Sequence, residues 1–384
     1  MIDPPQTHAV LPKSASILSR RSLIKSAALC VAGTSLPAAA RPTVNPGKTW
    51  DRFPRPEDAG FLTPALKTIE RDLYAKPTTA LIVVKSGRMV YSYGEASHPS
   101  CLASVRKSVL SMLYGKYVAN GRIDLNRTLG DLGINESGDG LLPIEKTATI
   151  RHVLMSSSGV YWPAGSPGGN EATPPRGSKA PGSYFLYNNW DFNVAGAIFE
   201  KLTGKSVFQA LGDDLASPLQ FQDYDPSKQR MLGYQSNPSR FKAYQMFLSA
   251  RDLARLGLLM VNGGTWNDRE IVPASWVRES TGLQWKAAEM TSRKGPTGYG
   301  YMWWKPSESR TGPEWRDSYL AYGKWGQFIL GLPAIDTVII HQRAVTDEFA
   351  VAFNVGATSV TPGGGEFTDS DFLAIADKVL AARA

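Results

Sequence analysis

Apolar positions fall into short runs separated by turn-forming residues. Residues 79–84 (Thr-Ala-Leu-Ile-Val-Val) and 89–93 (Met-Val-Tyr-Ser-Tyr) flank Lys85-Ser86-Gly87-Arg88, which predicts strand, turn, strand. Just before this hairpin, residues 64–74 carry a helical period. Residues 104–120 are apolar on most sides: Val105, Val109 and Met112 form one stripe, and Leu110, Leu113 and Tyr117 another. A helix of that kind is buried all round, and Gly121 ends it. From about 125 to 285 the pattern is mainly helical, clearest over 192–202 and 250–261. Within it, residues 163–181 are dense in Gly, Pro and Ser and predict a long mobile loop. Strand patterns return at 298–304, 326–330 and 337–341, and 369–382 predicts a terminal helix. This order predicts an α+β fold, an antiparallel β-sheet flanked by helices plus a mainly helical lobe. The α/β lobe takes residues 41–100 and 290–384, and the helical lobe 101–289, within a single domain over 41–384.

The first 40 residues change that picture at one end. Ser19-Arg20-Arg21-Ser22-Leu23-Ile24-Lys25 looks like a twin-arginine export signal. An apolar stretch follows over 27–36, and Pro37-Ala38-Ala39-Ala40 ends in a small-residue cleavage site. The expectation is a signal peptide over 1–40 and a mature chain that is periplasmic or secreted. Beyond the leader no run of 18 or more apolar residues occurs, so no membrane span is expected. The net charge of +8 draws partly on Lys13, Arg20, Arg21 and Lys25 of the leader, which leaves the rest mildly basic. No Lys/Arg cluster stands out, so nucleic-acid binding finds no support. Of the two cysteines, Cys30 lies in the leader, and Cys101 alone cannot form an internal disulfide or a zinc site. Cys101 reads as a small buried hydrophobe.

Several kinds of chemistry are poorly supported. The four histidines are His8, His98, His152 and His341. His8 lies in the leader, and the last two sit in apolar surroundings that suit structural roles. No Gly-x-Ser-x-Gly elbow is present, so a Ser-His-Asp triad is not indicated. No His/Glu/Asp cluster has metal spacing and no Gly-rich phosphate loop follows a strand, so neither metal nor cofactor is expected. What remains is Ser104-Val105-Arg106-Lys107. Serine and lysine three apart on a helix share one face about a turn apart. A buried lysine is pushed towards its neutral form, in which it can accept the serine proton. The spacing alone is weak, since Ser22 to Lys25 and Ser239 to Lys242 also match. Ser104 is set apart by the apolar helix it begins. A second element is Tyr187-Asn188-Asn189, whose tyrosine can relay a proton beside a lysine. Trp162, Trp190, Trp303, Trp304 and Trp325 lie near these segments and fit either an apolar acyl pocket or core packing.

Longer stretches point the same way: Leu81 to Tyr93, Gly121-Arg122-Ile123-Asp124-Leu125, Thr149 to Gly159, and Ser249 to Gly264 with Ile271 and Trp276 beyond. Together with the two motifs, these make the chain, over about 55–382, resemble the serine β-lactamase and penicillin-binding-protein superfamily. The likeness is strongest to its class C branch, the related esterases and the 6-aminohexanoate-dimer hydrolases. The resemblance implies Ser104 as nucleophile, Lys107 as general base, Tyr187 as the motif tyrosine, and Asn189 as the asparagine facing the substrate. The family's third motif, Lys-Thr-Gly or His-Thr-Gly on a strand, aligns with Ala321-Tyr322-Gly323, with Lys324-Trp325-Gly326 a rival register. In the first register Gly323 takes the motif glycine, and the N–H of Lys324 joins that of Ser104 as oxyanion donor. Two departures stand out. Arg106 replaces a small residue but lies about 200° round the helix from Ser104, clear of the pair. Ala321 replaces the basic residue that meets a β-lactam carboxylate, which favours an esterase or amidase acting on a small ester, amide or peptide. The alternatives are a penicillin-recognising or cell-wall-binding protein without turnover or, among enzymes, a β-lactamase or D-Ala-D-Ala peptidase.

Overall fold

The computed structural model describes residues 44–167, 173–292, 297–357 and 365–384. The leader over 1–40 and residues 168–172 of the 163–181 loop fall outside these residues. In chain order the helices are α1 (Thr63–Tyr74), α2 (Val105–Ala119), α3 (Ile150–Leu154), α4 (Asn189–Thr203), α5 (Val207–Ala210), α6 (Ala250–Val261), α7 (Ala274–Ser280), α8 (Asp347–Asn354) and α9 (Asp369–Ala381). The strands are β1 (Ala80–Lys85), β2 (Arg88–Gly94), β3 (Ser100–Cys101), β4 (Arg230–Leu232), β5 (Ala243–Gln245), β6 (Phe247–Leu248), β7 (Thr265–Trp266), β8 (Arg269–Glu270), β9 (Gly298–Tyr299), β10 (Trp304–Lys305), β11 (Tyr319–Gly323), β12 (Gln327–Leu332) and β13 (Thr337–Gln342).

The main sheet runs β2-β1-β13-β12-β11-β10-β9, with every neighbouring pair antiparallel. Its centre is a continuous apolar run, because both faces are covered. Val83 pairs with Ile339, which pairs in turn with Leu330, and all three are buried. The β1–β2 turn places Ser86 and Gly87 at positive φ, the geometry that matches strand twist in a two-residue hairpin. On one face lie α1 and α9. Leu66, Ile69 and Leu73 of α1 recur at helical spacing and are buried there. On the other face α6 crosses β13, β12 and β1. Gly257 permits that approach: a Cβ there would lie 2.5 Å from Val338 Cγ1.

α2 joins the sheet to the helical lobe. It touches β11 and β12 on one side and α4 and α7 on the other, and most of its residues are buried, including Arg106 and Lys107. The fold is thus α+β, as the hydrophobic pattern predicts, with two local differences. The stretch over 298–304 is not one strand but the short pair β9 and β10, turned back through Met302 at φ +62°. The helical lobe also contains the small pairs β3–β6, β4–β5 and β7–β8. No helix among the described residues is long and apolar enough to cross a membrane.

Candidate active site

Ser104 stands at the N-terminus of α2, after a turn that is tightly made. Leu102 N–H donates to Met246 O at 2.9 Å, and Val105 N–H donates back to Leu102 O at 3.0 Å. Between them Ala103 has φ +47°, which is uncommon for a residue with a Cβ. A serine in this position usually caps its helix. The Ser104 hydroxyl caps no amide of α2, so it is not committed to holding the helix end.

One turn on, Lys107 N–H donates to Ser104 O at 3.0 Å. The Lys107 side chain is only 1 % exposed. Its Nζ donates to Tyr187 Oη at 2.8 Å and to Asn189 Oδ1 at 2.7 Å. It also lies over two rings, 4.1 Å from the centre of Tyr187 and 4.0 Å from that of Phe192. The Tyr187 ring is itself packed by Phe192, Tyr299 and Trp304. Asn189 reaches the other way as well, with Nδ2 donating to Pro167 O at 2.7 Å.

Asn188, between the two motif residues, is what sets them in place. Its Oδ1 accepts from Trp190 N–H at 3.0 Å and caps α4, so Tyr187 ends the loop and Asn189 begins the helix. Its Nδ2 donates to Val160 O and its N–H to Ser156 Oγ. The serines after α3 hold the same segment: Ser156 Oγ donates to Leu186 O, and Ser158 Oγ donates to Asp191 Oδ1. Burial pushes the Asp191 carboxyl up to about 8, against the lowering effect of the Ser158 bonds. The sequence signal for this layer is an asparagine just before an apolar helical run, flanked by Tyr187 and Asn189.

The strand wall closes the site from the sheet side. Ala321-Tyr322-Gly323 lies on β11, whereas Lys324-Trp325-Gly326 forms the three-residue turn into β12, with Gly323 paired to Gln327. Gly323 packs on the turn before α2 so closely that a Cβ would lie 2.4 Å from Leu102 O and 3.1 Å from Val105 N. Lys324, next along the chain, lines the same cavity as Ser104. Neither the Ser104 nor the Lys324 N–H has an acceptor among the described residues. Trp325 and Gly326 both have positive φ. His341 fixes the far side of the turn: Nδ1–H donates to Gly326 O at 2.7 Å, so Nε2 accepts from Thr78 Oγ1 at 3.0 Å. Burial pushes the His341 pKa down to about 4, so the ring is neutral at ordinary pH.

These walls enclose a cavity of about 310 Å³ onto which Ser104, Tyr187, Asn189 and Lys324 open. Gly323 supports it from behind, and Lys107 lies beneath Tyr187 and Asn189. The tryptophans divide between the two roles their positions allowed. Trp304 and Trp325 line the cavity. Trp190 and Trp303 are core residues, and Trp162 packs against Arg176 and donates to Pro238 O. Arg106 clears the Ser104–Lys107 pair, as its helical angle implies, yet it lines the same cavity. The rival serine Ser239 is buried, donates to Glu136 and is not on the cavity lining. His152 is structural, its Nδ1 accepting from Thr149 N–H. Among the described residues no group of three or more His, Cys, Asp or Glu is placed to hold a metal ion.

Known proteins share this arrangement of elements. A putative 6-aminohexanoate-dimer hydrolase from Bacillus anthracis is similar at 18 % identity and TM-score 0.59, with 88 % of each chain covered. A penicillin-binding protein homologue from Caulobacter crescentus is similar at 14 % identity and TM-score 0.56, covering 77 % of this chain and 93 % of its own. A β-lactamase from Mycobacterium bovis is similar at 17 % identity and TM-score 0.52, covering 83 % and 100 %. At such identities the likenesses speak to the fold alone. The model of the family described as Beta-lactamase matches residues 66–348, from within α1 into α8, and the chain belongs to that family.

Proposed function

We propose that the chain is an exported serine hydrolase that cleaves an ester or amide bond through an acyl-enzyme on Ser104. The observation that carries this reading is the position of Lys107. Its buried Nζ is bonded to both Tyr187 Oη and Asn189 Oδ1, one turn from a serine whose hydroxyl caps nothing. In the proposed reaction Ser104 Oγ attacks the carbonyl carbon and its proton passes to Lys107 Nζ. The N–H groups of Ser104 and Lys324 take the developing oxyanion. Tyr187 Oη, in contact with Lys107, protonates the leaving group as the C–O or C–N bond breaks, and the lysine proton replaces the one it gave. Water then hydrolyses the acyl-enzyme by the reverse relay. Ala321 supports an ester or amide over a β-lactam, because its buried side chain offers no charge to a carboxylate. Release of the 1–40 leader by twin-arginine export, giving a periplasmic or secreted enzyme, is part of the same proposal and is checked by N-terminal sequencing of exported protein.

The test is p-nitrophenyl ester turnover by wild type and Ser104→Ala. The proposal expects loss of turnover in the variant, and unchanged turnover would sink it. A fluorophosphonate or β-lactam adduct on the wild type, with no turnover of any ester, amide or peptide, would instead favour a binding protein.

A further inference from the structure

Arg106 has no role in the relay just described, and its surroundings are unusual for a buried cation. It is 2 % exposed and lines the cavity. Its acceptors are both neutral: Nη2 donates to Asn193 Oδ1 at 3.1 Å and Nη1 to Ala103 O at a long 3.4 Å. Its Nε has no partner, and its remaining contact is the Tyr244 ring, 5.0 Å from the guanidinium carbon. No carboxylate among the described residues lies within ion-pair distance of it. A buried charge left without a counter-charge is costly, and a guanidinium suits a carboxylate above other anions of its size. The four Nη hydrogens exceed the two acceptors the protein provides.

The rest of the lining agrees in sign. Lys324 is a second cation, its Nζ held 4.8 Å from the Phe353 ring centre. The acid on the lining is Glu366, an exposed residue whose charge acts on Arg343. Ser166, joined to Arg106 through Asn193, adds a hydroxyl on the same side.

We infer that Arg106 selects substrates whose acyl group carries a carboxylate, such as monoesters or monoamides of a dicarboxylic acid. This rests on the proposed reaction at Ser104. The acyl end is assigned because Tyr187 is the group proposed to protonate the leaving group, and Arg106 bonds to Ala103 and Asn193 rather than to Tyr187.

The experiment compares 4-nitrophenyl hydrogen glutarate with 4-nitrophenyl valerate, which match in acyl length and differ in the terminal carboxylate. The wild type should favour the glutarate in kcat/KM by about tenfold or more, the scale of a hydrogen bond to a charged group. Arg106→Gln should lower the glutarate-to-valerate ratio by about tenfold, mainly through KM. A wild type that treats the two alike, or prefers valerate, overturns the inference whether or not the variant folds. So does a variant that keeps the wild-type ratio. Valerate turnover that needs Ser104 but shows no anion preference removes this inference alone. Absence of Ser104-dependent turnover with either ester removes the reading beneath it as well.

Discussion

On the helix wall of the cavity, Lys107, Tyr187 and Asn189 are tied side chain to side chain at 2.7–2.8 Å. On the strand wall, Gly323 and Lys324 contribute backbone, held by close approach to the turn before α2 and by left-handed residues on both sides of the gap, Ala103 and Trp325. In the proposed reaction the first wall handles protons, which needs side chains with the right partners. In the same proposal the second stabilises charge, which needs amides with none. The same cavity is therefore built by two unlike rules. Substitutions on the helix wall should act on proton transfer, and those on the strand wall on oxyanion stabilisation.

Removing the base should break the contrast most strongly. Lys107→Ala is expected to lower kcat by about 10²–10⁴-fold. Gly323→Ala tests the strand wall. Its added Cβ meets backbone at Leu102 rather than a movable side chain, so the Lys324 amide must shift away from Ser104. Loss of one oxyanion donor lowers kcat about 10²–10³-fold, and here it should occur with every substrate alike. Tyr187→Phe should depend on the leaving group: roughly tenfold loss with a 4-nitrophenyl ester, and about a hundredfold with an amide whose nitrogen must be protonated. Steady-state kinetics on one ester and one amide separate the three.

The smallest effect on turnover should come from Asp191→Asn, behind the helix wall, yet it carries a distinct pH signature. The folded carboxyl is raised to about 8 from an ordinary 3.8 by burial. Its protonated form is therefore favoured in the folded state. That stabilisation is fully present below the ordinary value and is lost as pH rises through about 8. Asparagine cannot titrate, so denaturant unfolding of the variant should show a flatter stability–pH curve over that range. An unaltered curve would mean that Asp191 does not titrate there.

The parts legible in the sequence were those whose physics is local. The β1–β2 hairpin followed from alternating apolar runs around Ser86-Gly87, and the burial of α2 from apolar residues on every face. The 298–304 stretch misled because its aromatic residues suit a strand. There Gly300 leaves no space for a Cβ, which would lie 2.4 Å from Ser280 O, and the chain doubles back. Nothing local marks Trp325 for positive φ, since the turn is fixed by β12 and His341. Arg106 shows the limit of helical geometry. Its angle places it clear of Lys107, but its partners Asn193 and Tyr244, and the Ser166 that lines the cavity with it, are brought near only by the fold.

The central claim is that Ser104 is acylated within the Lys107–Tyr187–Asn189 network. Acid-quenching the wild type during turnover of a slow ester, followed by intact-mass and peptide mapping, tests it directly. One acyl group per chain is expected, on Ser104, absent from Ser104→Ala and much slower to form in Lys107→Ala. An acyl group mapped to any other residue, or turnover without a Ser104 adduct in the presence of an intact network, would contradict it.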